Sequence, residues 1–274
     1  MASDTATAGV AEQVEARTSG AWTVVAGQEL RDLWLSGKGL AMMLAYTVLL
    51  SISTYLIATN QELNFLEQRE AVSLTLKIAV AVGGLLVVLV AADAVSGERE
   101  RGTLESLLLT PASRRSILLG KGVAAFSLWV GAFVFAVPYI WWIGRDVGTF
   151  GKAVVGGLVV GTLLALTLTG IGLLVTTFSQ SNGLSLAISF FVLLAMFAPN
   201  QMPAESTRGW AGELLLRVDP FSAGLLYLER LILNDHSLTQ DVSLLVVPAI
   251  VAVALPAIAY VVGGRLTLLP RSGA

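Results

Sequence analysis

Long runs of apolar residues recur along the chain from about residue 40 onward, with short polar stretches between them. A transmembrane helix needs about 20 mostly apolar residues. Six runs meet this requirement, at 40–58, 74–95, 122–143, 153–175, 184–198 and 242–262. The pattern therefore predicts an all-α polytopic membrane protein with six transmembrane helices.

Composition supports this prediction. Of the 274 residues, 55% are hydrophobic and 13% are charged, whereas a soluble domain carries about 25% charged residues. So little charge cannot cover a water-facing surface. We expect one membrane domain over residues 22–265, preceded by a disordered cytoplasmic N-terminus (1–21) and followed by a cytoplasmic tail (266–274).

The chain lacks the residues that several kinds of catalytic or metal-binding site require. The chain has no cysteine and a single histidine, His236, which argues against disulfides, a histidine-based metal cluster and a serine–histidine pair. The nearest fragment to a phosphate-binding loop, Gly151-Lys152-Ala153, lacks the glycine spacing and the hydroxyl of that motif. The net charge of −2 gives no support for nucleic-acid binding. We therefore expect no catalytic site, metal or cofactor in this chain.

Lysine and arginine positions predict the orientation. With six spans, 10 basic residues fall on the side of the termini and 7 on the other side. The loop between the second and third spans is also rich in basic residues, as expected of a cytoplasmic loop. The sequence predicts a multi-pass protein of the cell membrane with both termini and this loop in the cytoplasm.

An amphipathic helix is predicted before the first span. Apolar residues recur there at helical spacing, at Trp22, Val25, Ala26, Leu30, Leu33 and Trp34. Such a helix lies in the membrane interface. From this segment alone, a membrane-surface anchor is the preferred interpretation.

The loop over 97–121 reads GERERGTLESLLLTPASRRSILLGK. Leu104, Leu107 and Leu108 form an apolar stripe, and Arg101 stands four residues before Glu105, where opposite charges meet on a helix. A proline cannot continue a helix but suits the first position of a new one. The loop therefore predicts one short amphipathic helix over 98–109, a turn, and a new helix with Thr110 as its N-cap and Pro111 at its first position.

The charges of this loop have two interpretations. The topology rule alone accounts for the bases Arg114, Arg115 and Lys121. It does not account for acids in the same stretch, which are Glu98, Glu100 and Glu105. A docking surface for a soluble partner would contain both signs of charge.

The long segment before the last span contains two further apolar stretches, at 210–218 and 221–233, separated by Asp219-Pro220. Each is too short to span a membrane. They are expected to lie at the outer interface or to re-enter among the spans. Glu229 and Arg230 are expected at the rim rather than inside a cavity.

Two charged residues lie in the second span. Lys77 and Asp93 are near its two ends and are expected to snorkel to the interfaces. The alternative is that they form an ion site of a channel or of a transporter driven by an ion gradient. A membrane anchor without transport is a further possibility.

The chain resembles the type-2 permeases of ABC transporters, six-helix membrane subunits that include polysaccharide, drug, sodium and copper-maturation exporters. The resemblance rests on the stretch from Asp93 to Glu105, then on Leu107, Leu108, Pro111, Arg114 and Gly120-Lys121. It extends to Glu29-Leu30-Arg31-Asp32 before the first span and to Asp219-Pro220-Phe221 before the last. In detail the chain looks most like permeases of the copper-maturation and gliding type.

The resemblance implies roles for particular residues. A coupling helix that docks on an ATPase subunit would comprise Glu98, Arg99, Glu100, Arg101, Gly102, Thr103, Leu104, Glu105, Leu108, Pro111 and Arg114. The connecting helix before the first span would include Trp22, Glu29, Arg31 and Trp34.

The resemblance also implies an assembly. Two permease subunits, identical or different, would join two soluble ATPase subunits, which bind ATP and Mg. Export would be the usual direction, and this chain would hydrolyse nothing itself. The spans do not identify the transported substrate.

Overall fold

The computed structural model describes residues 21–59, 65–105, 109–110, 112–201 and 209–264. The predicted terminal tails, apart from Ala21, lie outside these residues, as do Leu107, Leu108 and Pro111. The described part of the chain is helical and contains no strand, which confirms the all-α class.

Nine α-helices follow one another along the described residues. They are α1 Ala21–Leu35, α2 Lys38–Ala58, α3 Phe65–Arg101, α4 Arg114–Gly144, α5 Phe150–Phe178, α6 Asn182–Phe197, α7 Trp210–Val218, α8 Pro220–Ile232 and α9 Val246–Gly263. Short 3-10 turns occupy Arg145–Val147, Ala198–Gln201 and Val242–Leu245.

The six predicted spans correspond to α2, α3, α4, α5, α6 and α9, each of which lies in a stretch long and apolar enough to cross a membrane. Some helices extend well beyond the predicted spans. The 37 residues of α3 make a helix about 55 Å long, whereas the hydrocarbon core is about 30 Å thick. Hydropathy marks only the apolar part of α3, because its polar ends continue the helix past the membrane.

Helices α3 and α5 form the centre of the bundle. In their most apolar stretches 56% and 61% of residues are buried, against 22% in α2, α6 and α9. Helix α3 packs mainly on α5 and α4, while α9 packs mainly on α5. The peripheral helices therefore present most of their apolar surface outward, as expected for helices in contact with lipid.

Two glycines of α5 allow close packing at this centre. A Cβ atom on Gly157 would lie 2.6 Å from Leu76 of α3, and one on Gly161 would lie 2.1 Å from the Trp129 ring of α4. The Trp129 indole donates a hydrogen bond to Thr162 over 3.2 Å, which fixes the ring beside Gly161. The absence of side chains at these positions lets α5 contact both neighbours.

Helix α8 re-enters the bundle. Asp219 caps its first turn by accepting a 2.7 Å bond from the Ser222 amide, and Pro220 occupies the first helical position. A Cβ atom on Gly224 would lie 2.8 Å from Val160, which is about 15 Å along α5 from Phe150. Of the two placements considered for this segment, α8 therefore adopts the re-entrant one.

We predict that Gly161→Ala destabilises the protein by about 1–2 kcal/mol, because overpacking against the fixed Trp129 ring outweighs the gain in helix propensity. The measurement is thermal unfolding in detergent. Gly151→Ala on the same helix is the control, since a Cβ atom there meets nothing within 4 Å. Equal unfolding temperatures for the two variants would contradict the packing described here.

Candidate functional site

One end of the bundle, which we call the α1 end, brings several helix ends together. Polar contacts join α1 to α4 and α3, and join the C-terminal part of α3 to α5 and α6. The opposite end, which we call the α8 end, holds the loop that follows α8. The two ends differ in how their charges are arranged.

Lys121 lies at the centre of the α1 end. Its side chain is 4% exposed, and its ammonium donates to Glu29 of α1 over 2.7 Å and to Glu98 of α3 over 2.6 Å. Three helices therefore meet at one buried ammonium group. A buried charge that loses its partners costs several kcal/mol, so these contacts hold the three helices together.

This arrangement corrects the interpretation of two loop residues. Lys121 does not simply mark the cytoplasmic side, because its charge is buried and neutralised within the protein. Glu98 likewise has an internal partner and so needs no soluble partner to explain its presence. Glu100 is exposed but also has an internal contact, since its carboxylate accepts a 3.2 Å bond from the Asn182 amide at the start of α6. Glu105 is therefore the acid of this loop that most favours a docking surface.

A second cluster surrounds Asp93. Its carboxylate accepts bonds from Lys38 of α2 over 2.9 Å and from Asn182 of α6 over 2.8 Å, and Arg101 lies 3.7 Å away. Asp93 also lines a polar cleft of about 310 Å³ that Lys121 shares. Asp93 is therefore paired with protein side chains rather than left free, and its expected position at a membrane interface stays a prediction.

Hydroxyl groups join α3 to α5 and α6 beside these clusters. Thr176 of α5 accepts bonds from the backbone amides of Val95 and Ser96 over 3.1 and 2.8 Å. Ser185 of α6 donates to the Ala92 carbonyl over 2.7 Å. The C-terminal part of α3 is therefore held on two sides by side chains as well as by packing.

Helix α3 ends at Arg101, so the prediction of one helix over 98–109 is wrong. Residues 98–101 form the last turn of α3, and Gly102 follows with φ 74°, a conformation that favours glycine. The chain resumes helical structure at Leu104, which is buried. The polar run Glu98–Arg101 extends α3 because its charged residues are good helix formers.

The residues around this break divide by exposure. Glu98 and Arg99 are half-buried, and Arg99 donates to the carbonyl of Ser179, the residue that follows α5. The exposed positions are Glu100, Arg101, Gly102, Thr103, Glu105 and Leu109. We call these six residues the exposed strip.

Helix α4 begins later than predicted. Its first residue is Arg114, which is exposed, and its N-cap is Ser113, which accepts a 3.1 Å bond from the Ser116 amide. Thr110 is therefore not the N-cap of the helix that leads into the third span. The sequence contains two hydroxyl residues suited to capping, Thr110 and Ser113, and the structure uses Ser113.

Helix α1 packs on α4. Val25 and Ala26 lie against Gly120, where a Cβ atom would be 2.6 Å from Val25. The Trp34 indole donates to Ser127 over 3.1 Å. Much of the apolar stripe of α1 is thus covered by protein, although Trp22 is 40% exposed, and the interpretation of α1 as a membrane-surface anchor stays a prediction.

The other residues predicted to belong to the connecting helix differ in their exposure. Trp22 and Arg31 are exposed, whereas Glu29 is half-buried and bound to Lys121. Glu29 is three residues from Ala26 and four from Leu33, both buried. Its position within the apolar stripe was the signal in the sequence for a buried ion pair.

The α8 end contains the other charged residue of α3. Lys77 donates to Glu229 of α8 over 2.6 Å, and Arg230 donates to Asp241 over 2.9 Å. Lys77 and Glu229 are therefore paired with each other, while Glu229 remains 43% exposed, and their expected position at the membrane interface stays a prediction. The ion pair between Lys77 and Glu229 fastens the re-entrant helix to the centre of the bundle.

The loop after α8 is tied to two spans. Asp235 accepts a 2.5 Å bond from Lys152 of α5 and lies 3.6 Å from Arg69 of α3. The bond from the Lys152 ammonium lowers the pKa of Asp235 below its ordinary value. His236 binds Asp241, and this bond lowers the pKa of Asp241.

Comparison with known proteins gives the family. A family model described as ABC-2 family transporter protein matches residues 23–265. The chain belongs to this family. The resemblance inferred from the sequence is confirmed, and with it the description of the chain as a multi-pass membrane protein with six candidate spans.

Similarity to a curated protein supports this family assignment. The chain is 41% identical over 51 residues to the ABC transporter permease protein NatB of Bacillus subtilis (strain 168). The match covers 19% of this chain and 13% of that protein. The closer resemblance to permeases of the copper-maturation and gliding type stays a prediction.

We predict that Lys121→Met lowers the free energy of unfolding by about 3–5 kcal/mol, because it leaves Glu29 and Glu98 without a compensating charge. Lys38→Met is the control and should cost about 1 kcal/mol or less, since Lys38 is 47% exposed. Thermal or denaturant unfolding in detergent measures both.

A combined variant tests the cause of this loss. Adding Glu29→Gln and Glu98→Gln to Lys121→Met removes the unpaired charges, so most of the lost stability should return. If the triple variant is as unstable as Lys121→Met alone, charge compensation is not what Lys121 provides.

Proposed function

We propose that this chain is the permease subunit of an ATP-driven ABC exporter. In this proposal a separate soluble subunit hydrolyses ATP, and the α1 end of the bundle receives the resulting movement. The α1 end then faces the cytoplasm, in agreement with the distribution of basic residues along the chain. Membership of the ABC-2 family supports the transporter part of the proposal.

The observation that carries the proposal is the position of the exposed strip. It contains charges of both signs at Glu100, Arg101 and Glu105, together with Leu109, whose side chain is 87% exposed. Charged residues around an apolar side chain suit a protein interface. The strip joins α3 to the segment that leads into α4, so a partner bound there would act on two spans at once.

The contacts beneath the strip explain how movement would spread. Lys121 joins the C-terminal part of α3 to α1 and α4. Thr176 and Asn182 join the same part of α3 to α5 and α6. A displacement of the strip would therefore move several helix ends together, as in a rigid-body rearrangement.

The rest of the assembly follows from the family resemblance. ATP and Mg would be bound by the ATPase subunit, and a second permease subunit, identical or different, would complete the transport pathway. Transport would occur by alternating access, with export as the direction.

The gradient-driven alternative receives less support. Such transporters use ionisable groups inside the bundle as ion sites. The candidates here are Lys77 and Asp93, and each is bound to a side chain of opposite charge. Binding a passing ion would require one of these pairs to open.

We predict that Glu105→Lys weakens binding of the ATPase subunit about tenfold, because it reverses a charge on the exposed strip. The partner for the experiment is a P-loop ATPase encoded beside this chain's gene. Pull-down gives the affinity, and hydrolysis by the ATPase in the presence of the permease gives the functional effect.

Glu70→Lys is the matched control, because Glu70 is an exposed acid of α3 that precedes Lys77, on the side of the α8 end. It should leave binding and hydrolysis unchanged. Both variants should reach the membrane and unfold at the temperature of the unmodified protein. If Glu105→Lys binds the ATPase as tightly as Glu70→Lys does, the strip is not the docking surface.

A further inference from the structure

An apolar groove of about 180 Å³ lies between α4, α5 and α9, toward the α1 end. Its walls include Leu119, Val123, Phe126, Leu166, Pro256 and Tyr260. The Thr169 hydroxyl in the same wall donates to the Ala165 carbonyl of its own helix over 2.8 Å. The groove therefore suits a hydrocarbon rather than a polar molecule.

Two close helix contacts bound the groove. Helix α9 meets α5 where a Cβ atom on Gly170 would lie 2.7 Å from the Pro256 backbone nitrogen, and it meets α4 where a Cβ atom on Gly263 would lie 2.7 Å from Leu118. Tyr260 lies between these contact points along α9. The helices thus touch at both points and leave a gap beside Tyr260.

The gap is accessible from the lipid side of the bundle. Leu119 and Val123 remain 39% and 38% exposed, and the three helices around the groove are all candidate spans. An unfilled apolar gap loses the dispersion contacts that its walls would otherwise make. Its surroundings would supply an apolar group to fill it.

A positive charge lies at one end of the groove. Arg115 is one helical turn before Leu119, and its guanidinium lies 5.4 Å from the centre of the Tyr260 ring. Arg115 also packs against Gly264, at the C-terminal end of α9. Among the residues that the structure describes, no carboxylate forms a salt bridge with Arg115.

We propose that this groove binds one anionic phospholipid. An acyl chain would lie along the apolar walls, and the phosphate would bind Arg115, because the planar guanidinium suits phosphate oxygens. The volume of about 180 Å³ accommodates a short length of chain. The lipid would stabilise the contact of α9 with α4 and α5.

The charge distinguishes this occupant from a second copy of the chain. A transmembrane helix of another copy could fill the apolar walls, but the six predicted spans contain a single acid, Asp93, which is already paired within its own chain. A phospholipid supplies both the chain and the phosphate. The inference does not depend on the proposed transport function.

The experiment uses the full chain, purified in detergent and stripped of lipid, with phosphatidylglycerol, phosphatidylcholine or glycerol phosphate added. Native mass spectrometry counts bound lipids, and thermal unfolding reports stabilisation. We expect one tightly retained phosphatidylglycerol that raises the unfolding temperature more than phosphatidylcholine does. Glycerol phosphate, which lacks chains, should have no effect.

Two pairs of variants separate the charge from the groove. Arg115→Gln should weaken phosphatidylglycerol binding about tenfold through loss of a charge-assisted bond. Arg145→Gln should not, because Arg145, which also lies beside an aromatic ring at 5.6 Å from Trp141, is at the other end of α4 and is paired with Asp146. Val123→Phe should displace the chain, while Val134→Phe on an exposed part of α4 should not.

Several results would overturn the proposal. Equal losses for Arg115→Gln and Arg145→Gln would mean that the charge acts nonspecifically. Unchanged lipid retention in Val123→Phe would place the lipid elsewhere. Stabilisation by glycerol phosphate alone would mean a headgroup site without a chain. A change in oligomer size with Val123→Phe, without lipid loss, would make a second copy the occupant.

Discussion

The buried ammonium of Lys121 is the constraint on which the α1 end of the bundle depends. Its charge is tolerable there because Glu29 and Glu98 approach from two other helices. Neither carboxylate can move away without leaving a buried charge unpaired, which is costly. Helices α1, α3 and α4 are thus required to keep their relative positions, and the exposed strip is attached to this rigid unit.

This constraint gives the proposed coupling a physical basis. The strip follows directly from the last turn of α3, so force applied to it acts on a helix whose neighbours are fixed by ion pairs and hydroxyl contacts. At the α8 end, Lys77 and Glu229 join α3 to the re-entrant helix. Helix α3 therefore carries polar contacts toward both ends, and movement at one end can reach the other through a single element.

The sequence predicted the spans well, because an uncharged run of about 20 apolar residues is typical of a helix that crosses a membrane. It predicted the polar features less well. From the sequence, Lys121 was interpreted as a topology signal and Glu98 as a docking acid. Their ion pair could not be predicted, because it depends on how α3 and α4 pack against each other. The helix break at Gly102 was also missed, because glycine at a helix end differs little in sequence from glycine inside a loop. The sequence allowed two placements for α8, at the outer interface or among the spans, and hydropathy alone could not choose between them.

The central claim, that an ATPase docks on the exposed strip, is tested most directly by crosslinking. The chain contains no cysteine, so Thr103→Cys places one reactive thiol on the strip, and Gly151→Cys places one near the start of α5, at the α8 end. A bifunctional reagent that couples this thiol to amines of the co-purified ATPase should crosslink the Thr103→Cys protein and not the Gly151→Cys protein. Crosslinking at position 151, or none at position 103 while the ATPase co-purifies, would contradict the account.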